Sequence, residues 1–242
     1  MHKTLSIFLL LSLISCSYET NDLERMNLHG SIKSLHEKKT NITGELIMTK
    51  ETIFTNTGMV KSTEYIHSFN NTSNKSINHY DFRNRIVKQE FLINDSLMTS
   101  QEYLRISPHK DSILLYDSNG ELINTGTLKY ANDWQPEVIK LYNTENYTVY
   151  CDTSKYDSKG RLIEQNVEQH FDPEFKRKYQ YRYKYDSIGR IQVLSTYDSF
   201  KDSITVERYK YKLDEKNNWI EKQILSKKGD SLAIIIRTIK YK

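Results

Sequence analysis

The sequence predicts an all-β protein: a curved antiparallel meander of β-hairpin repeats, with about a dozen strands in an open sheet. Tyrosines alternate with polar residues over 179–185, a period of two that suits a strand and not a helix. A turn-like motif also recurs along the chain. Finally, only 37% of the 242 residues are hydrophobic even when the 18 Tyr are counted, which favours a thin core.

The first sixteen residues have the features of an export signal. Lys3 supplies a basic start, and the apolar run over 5–14 is shorter than the ~20 residues of a membrane-spanning helix. The run ends in Leu-Ile-Ser-Cys at 13–16, which resembles the lipobox of bacterial lipoproteins, where the cysteine is lipidated. We therefore expect a signal peptide over 1–15, a lipidated polar tether over 16–27 and a single β-hairpin repeat domain over 28–242.

That resemblance also implies a location and a partner. Lipid on Cys16 would hold the protein to a membrane without spanning it, because more than one acyl chain gives stable anchoring. The expected location is the cell envelope, as an outer-membrane lipoprotein that faces either the periplasm or the outside. Once Cys16 carries lipid, Cys151 is the only free thiol, so no internal disulfide is expected.

The recurring motif has the chemistry of a turn. Its Asp accepts hydrogen bonds from the backbone amides that follow, and Gly or Asn takes a positive φ before the next strand. Four copies begin at Tyr80, Tyr116, Tyr156 and Tyr185, and degenerate copies begin at Leu213 and Phe54. The marked positions are Tyr80, Asp81, Tyr116, Asp117, Gly120, Tyr156, Asp157, Gly160, Arg161, Tyr185, Asp186, Gly189 and Arg190.

This pattern resembles the YD repeat of the rearrangement-hotspot (RHS) family, in which Tyr-Asp-x-x-Gly-Arg-Leu marks each hairpin. The copies at Tyr156 and Tyr185 match every marked position if Ile191 is allowed for Leu. With the lipobox, the chain is similar to the short YD-repeat lipoproteins of Bacteroidota. Large RHS proteins wind such hairpins into a closed shell, and the few copies here favour an open sheet instead.

A second pattern, Asp-Ser-aliphatic, resembles the O-glycosylation sequon of exported Bacteroidota proteins. An alternative explanation needs no sugar: Asp-Ser begins a turn and the aliphatic residue begins the next strand. Modification requires an exposed serine at a mobile loop tip. The candidate serines are Ser96, Ser112, Ser187, Ser203 and Ser231.

Catalytic and metal-binding patterns are missing from the sequence. It has no Gly-x-Ser-x-Gly, His-Glu-x-x-His or Cys-x-x-Cys, and its seven histidines form no i, i+4 pair. We expect no catalytic residue, no metal and no cofactor. A glycosidase pair stays open, because its two carboxylates can come from distant strands. The net charge of +4 is too small for nucleic-acid binding, so no nucleic-acid partner is expected.

One strand face is the best candidate for binding. Tyr179, Tyr181, Tyr183 and Tyr185 share a face, with Arg182 and Lys184 on the other. A glycan or an envelope protein would suit this row of rings. The alternative is a structural role, in which the rings pack across strands and the hydroxyls reach water. We expect the structural role, in which truncating Tyr181 and Tyr183 to Ala lowers stability.

These observations favour a non-catalytic envelope module for binding or structural support, because the repeats supply area without a convergent polar site. Two alternatives stay open. The RHS resemblance implies an interaction or immunity-type protein linked to RHS toxin or secretion systems. The abundant carboxylates would instead suit a glycan-active enzyme.

Overall fold

The computed structural model describes residues 22–132, 135–171 and 175–242. These residues form one short helix and sixteen antiparallel strands, in an order without crossovers. The elements are α1 (Asp22–Arg25), β1 (Ile32–Asn41), β2 (Leu46–Phe54), β3 (Val60–His67), β4 (Thr72–Tyr80), β5 (Ile86–Ile93), β6 (Ser96–Ser107), β7 (Lys110–Asp117), β8 (Leu122–Tyr130), β9 (Pro136–Asn143), β10 (Thr148–Tyr156), β11 (Leu162–His170), β12 (Lys176–Tyr185), β13 (Ile191–Asp198), β14 (Ser203–Leu213), β15 (Trp219–Leu225) and β16 (Ser231–Tyr241).

The sheet closes into a barrel, because β16 pairs with β1 as well as with β15. The closing register runs from the pair Ile32–Tyr241 to the pair Asn41–Ala233. The prediction of an open sheet with about a dozen strands is therefore wrong. Counting only the turns that carry a recognisable motif underestimates the number of strands. Turns without a motif, such as residues 67–72, also join neighbouring strands into hairpins.

The Tyr-Asp motif forms the turns that its chemistry predicts. In the copy at Tyr185, the Asp186 carboxylate accepts hydrogen bonds from the backbone amides of Ile188 and Arg190 at 3.1 and 2.8 Å. The same carboxylate accepts Nε of Arg190 at 2.7 Å. Gly189 has φ +89°, a conformation that favours glycine. Asp81 and Asp157 make the equivalent bonds to the residues that follow them.

Tyrosine hydroxyls connect each of these turns by a hydrogen bond to the preceding turn at the same end of the barrel. The Tyr185 hydroxyl donates to the carbonyl of Leu162 at 2.7 Å, and its ring lies under the Arg161 guanidinium, 4.7 Å from ring centre to Cζ. Equivalent hydroxyl bonds join Tyr80 to Val60, Tyr156 to Pro136 and Tyr211 to Ile191. The motif therefore joins neighbouring hairpins as well as shaping each turn. The copy at Tyr116 lies at the opposite end and has Glu121 where Arg stands in the others.

Helix α1 lies across the end of the barrel that carries most of these turns, which we call the α1 end. The Asp22 carboxylate accepts the backbone amide of Val60 at 2.6 Å, and the Asn27 amide donates to the carbonyl of Ile188 at 3.1 Å. Leu23 is buried against β1 and β2. Part of the predicted tether thus packs on the barrel. Among the described residues, no helix has the length and apolar character needed to cross a membrane.

The buried apolar residues form two clusters inside the barrel. One lines β5 to β11 and consists of Ile86, Tyr103, Ile113, Leu128, Tyr130, Ile139, Leu141, Tyr150 and Val167. The other fills the α1 end and consists of Leu23, Leu28, Ile32, Leu35 and Phe54. The buried members of both clusters come from outside β12 to β15, so the inner wall there has a different composition.

The outer wall of the barrel carries cross-strand ion pairs between side chains that point away from the interior. Their cations are well exposed, with 68% of the Lys155 side chain and 69% of the Lys212 side chain in contact with solvent. Three such pairs are Lys155–Glu164 at 2.8 Å, Lys178–Glu168 at 2.9 Å and Lys212–Glu221 at 2.8 Å. Each contributes little to stability, but together they make this wall hydrophilic.

Candidate binding surface inside the barrel

The tyrosine row predicted as a binding face lies on the inner wall. Tyr179 stands opposite Val167 of the larger apolar cluster, and the Tyr179 and Tyr181 rings stack with centroids 6.1 Å apart. Arg182 and Lys184 alternate with them and are exposed outside. Burial raises the pKa of Tyr183 and raises that of Tyr185 to about 12, so both hydroxyls stay protonated. Any ligand for this row must therefore enter the barrel.

Strands β13 and β14 separate this row from a second group of inward side chains, on β1, β2, β15 and β16. We call this group the inner cationic cluster: Glu37, Lys50, Lys222 and Arg237. Glu37 Oε1 accepts hydrogen bonds from Nε and Nη2 of Arg237 at 3.0 and 2.7 Å. The other oxygen, Glu37 Oε2, lies 3.6 Å from Nζ of Lys50. Burial acts to raise the pKa of Glu37, but attraction to Lys50 and Arg237 outweighs it and the pKa is lowered. Glu37 therefore stays ionised inside the barrel.

Aromatic rings hold the cations of this cluster in place. The Arg237 guanidinium lies over Trp219, with Cζ 3.2 Å from the ring centre. Lys222 Nζ lies 5.2 Å from the Tyr209 ring centre and 5.3 Å from that of Trp219. The negative faces of the rings stabilise both cations. The Tyr209 hydroxyl in turn donates to Glu207 at 2.6 Å, which leaves this carboxylate beside Lys222.

A separate acidic group lies on the inner wall of β10. Asp152 is 2% exposed, and its Oδ2 accepts Nε2 of Gln165 at 2.7 Å and the Tyr150 hydroxyl at 3.4 Å. Its other oxygen, Oδ1, has no hydrogen-bond partner among the described residues. Burial raises the pKa of Asp152 to about 6, because a buried carboxylate loses its hydration.

This raised pKa predicts a pH-dependent effect of Asp152→Asn. The native state keeps the Asp152 proton between pH 3.8 and about 6, where the unfolded chain has lost it, so this group's contribution to stability falls as the pH rises through that window. We expect the free energy of unfolding of Asp152→Asn, relative to that of the wild type, to rise by up to about 3 kcal/mol between pH 4 and pH 7. This corresponds to about 1.4 kcal/mol per pKa unit. Urea unfolding at both pH values measures this, and parallel pH profiles of the two proteins would contradict it.

The other predicted site residues fall into three groups. Cys16 and the predicted signal peptide lie outside the described residues. Ser96, Ser187 and Ser231 are exposed, whereas Ser112 and Ser203 are half-buried. Ser112 lies within β7 and pairs on both sides, so it is not at a loop tip. Cys151 is half-buried in β10, where burial raises the pKa of its thiol and makes it less reactive. Lipidation and glycosylation remain predictions.

Sequence reasoning missed the inner cationic cluster. Arg237 follows the apolar run at 232–236, and Lys222 stands two residues before the buried Ile224. A charge at an inward position of an alternating strand is the signal that was available. Among the described residues, no group of three or more His, Cys, Asp or Glu is arranged to hold a metal ion.

Comparisons with known proteins relate this chain to others by fold. No protein-family model and no curated protein sequence matches it. A porin-like protein from Bacteroides uniformis ATCC 8492 superposes with a TM-score of 0.54 at 12% identity, covering 86% of this chain and 96% of its own. A porin-like protein from Bacteroides vulgatus ATCC 8482 has a TM-score of 0.40 at 12% identity, with 85% and 97% covered. At these identities, the first likeness concerns the fold alone.

Proposed function

We propose that this chain is a non-catalytic binding module of the cell envelope, anchored by lipid on Cys16, that contacts its ligand through the inner wall of β12 to β16. The observation that carries the proposal is the composition of that wall. It presents stacked tyrosines, Trp219 and the Arg237 Nη1 donor, which has no partner among the described residues, whereas the larger apolar cluster lies on β5 to β11. A concave surface with few convergent polar groups is typical of ligand sites.

The envelope location draws support from two directions. The lipobox-like residues at 13–16 precede α1 by only a few residues. In addition, the Bacteroides uniformis structure with the same fold carries a porin-like name. The resemblance to short YD-repeat lipoproteins is consistent with the same location.

We infer that the outer wall of the barrel stands in water. A lipid-facing wall needs an apolar band about 25 Å tall, because charges at its middle are costly. Here lysines and glutamates occupy outward positions within the strands, and the lysine side chains are exposed. These charges favour the proposed lipid-anchored module over a pore through the membrane.

The position of α1 supports one orientation of the barrel on the membrane. The six residue steps from Cys16 to Asp22 span at most about 20 Å when fully extended. The lipid would therefore hold the α1 end close to the membrane surface, and the opposite end of the barrel would face away from it. A ligand would then approach from the opposite end.

Capture from envelope extracts tests the proposal. Full-length protein should bring down an envelope protein or glycan, and Tyr181→Ala with Tyr183→Ala should lose that capture while the barrel still folds. The matched control is Arg182→Gln with Lys184→Gln, on the outer face of the same strand, which should keep capture. Cys16→Ala should leave the membrane fraction. Equal capture by the inner and outer pairs would refute binding by the inner wall, and membrane retention of Cys16→Ala would refute the lipid anchor.

A further inference from the structure

The inner cationic cluster contains donors that the protein itself does not use. Arg237 is 6% exposed, and its Nη1 has no hydrogen-bond partner in the described part of the chain. Its Nε and Nη2 are both bonded to Glu37, so the guanidinium is held with one edge free. A buried donor without an acceptor costs free energy comparable to a lost hydrogen bond.

Lys222 is the second such donor. Its ammonium contacts the rings of Tyr209 and Trp219, and the residues that the structure describes place neither a hydrogen bond nor an ion pair on it. Burial lowers the pKa of Lys222 to about 8, with repulsion from Arg237 and Lys50 adding to the effect. A charged group held in an unfavourable environment, in a concave surface, is typical of a functional site.

The charged groups around these two donors carry a net positive charge. Lys50, Lys222 and Arg237 contribute three, and Glu37 and Glu207 remove two, so the sum is 3 − 2 = +1. Glu37 is already bonded to Arg237, and Glu207 accepts the Tyr209 hydroxyl. An additional acceptor carrying one negative charge would satisfy both donors and neutralise the cluster.

We propose that the inner cationic cluster is a binding site for a single oxyanion group, of the carboxylate or sulfate ester kind, which Lys222 and Arg237 bind beside Trp219. This rests on the proposed function and specifies the ligand class at the same inner wall. Hydrogen bonds between ionised partners are roughly twice as strong as neutral ones, which makes an oxyanion the preferred occupant. A neutral ligand would leave the one surplus positive charge without a counter-charge.

Trp219 provides a direct optical measurement of this site. The sequence has two tryptophans, so Trp134→Phe leaves Trp219 as the only indole. Full-length protein with that substitution, in detergent and at constant ionic strength, is titrated with glucuronate, with methyl sulfate and with glucose as the neutral control. We expect a saturable change in Trp219 fluorescence with the two anions and none with glucose. An equal response to glucose, or none to either anion, would overturn the proposal.

Two variants locate the binding. Lys222→Gln leaves the Glu37–Arg237 pair intact and should weaken anion binding by roughly ten-fold or more. Lys210→Gln, on the outer face of β14, should leave the affinity unchanged. Arg237→Gln should also abolish binding, and circular dichroism shows whether that variant folds. Unchanged affinity in Lys222→Gln would place the anion elsewhere and refute the site.

The outcome separates this inference from the function on which it rests. If the tyrosine pair is needed for capture but no anion binds at Trp219, the barrel interior is still the binding surface and only the ligand class is wrong. If anions bind at Trp219 but the inner and outer pairs capture equally, the anion site stands without the proposed partner.

Discussion

Replacing Glu37 by Gln is expected to destabilise the barrel by about 3 kcal/mol or more, because removing one partner of a buried ion pair leaves the other charge uncompensated. The Arg237 side chain is 5% exposed and that of Glu37 is 11% exposed, so water would hydrate the uncompensated charge only poorly. The substitution also leaves Lys50, Lys222 and Arg237 together without their shared carboxylate. Urea unfolding at pH 7 measures the loss.

Glu221→Gln is the matched control for this prediction. It makes the same chemical change in a cross-strand pair with Lys212 at 2.8 Å, but on the outer wall with the lysine 69% exposed. Surface pairs contribute at most about 1 kcal/mol, so this variant should unfold close to the wild type. Losses of similar size in the two variants would show that the Glu37–Arg237 pair has no special role.

The pH dependence gives a second check on Glu37. Its lowered pKa means that its contribution is complete above the unfolded value of 4.5 and is lost as the pH falls through the folded pKa. The difference between wild type and Glu37→Gln should therefore be constant from pH 5 to 7 and shrink in stronger acid. Lys222→Gln in the Glu37→Gln background should recover part of the loss, since it removes one of the three like charges.

The hairpins could be predicted from the sequence because their causes are local. Asp186 bonds to amides two and four residues away, and Gly189 supplies the positive φ within the same turn. The alternation over 179–185 likewise follows from the geometry of a single strand. Such features need no information about the rest of the chain, so a short segment is enough to predict them.

Closure of the barrel depends on residues at opposite ends of the chain. Glu37 and Arg237 are 200 positions apart, and their contact exists only because β1 pairs with β16 in one particular register. A register shift of one residue between β1 and β16 would turn one of the two side chains to the outer wall and break their contact. The inner cationic cluster could not be predicted for the same reason: its members lie on four strands that meet only after closure.

The shared face of the tyrosine row could be predicted from the sequence, but its position inside the barrel could not. The sequence places Tyr179 to Tyr185 on one face, and the structure confirms that they alternate with exposed Arg182 and Lys184. Which face becomes the inside depends on the curvature of the whole sheet, which no single strand contains. Closure turns the row from a flat platform into part of a concave wall, which restricts the ligands that can reach it.

Gly126→Ala should be among the most destabilising single substitutions in the barrel. Gly126 lies in β8 on the inner wall, with Ile113 and Leu141 opposite it on the two neighbouring strands. A Cβ atom there would come within 2.3 Å of the carbonyl oxygen of Lys140 and 2.6 Å of Cδ2 of Leu141. The Leu141 side chain can rotate, but the Lys140 carbonyl belongs to β9 and moves only with the strand.

The expected loss in the free energy of unfolding for Gly126→Ala is about 3 kcal/mol or more. This is at the upper end of the cost of overpacking a well-packed core. Gly120→Ala is the matched control, because Gly120 has φ +82° at the opposite end of the barrel and a Cβ there would meet nothing within 4 Å. That variant meets only the steric strain of a Cβ atom in a left-handed residue, roughly 1–2 kcal/mol. Urea unfolding ranks the two. If Gly126→Ala proved as stable as Gly120→Ala, β8 and β9 would have to be less closely packed than the structure shows, and the larger apolar cluster would not hold this side of the barrel rigid.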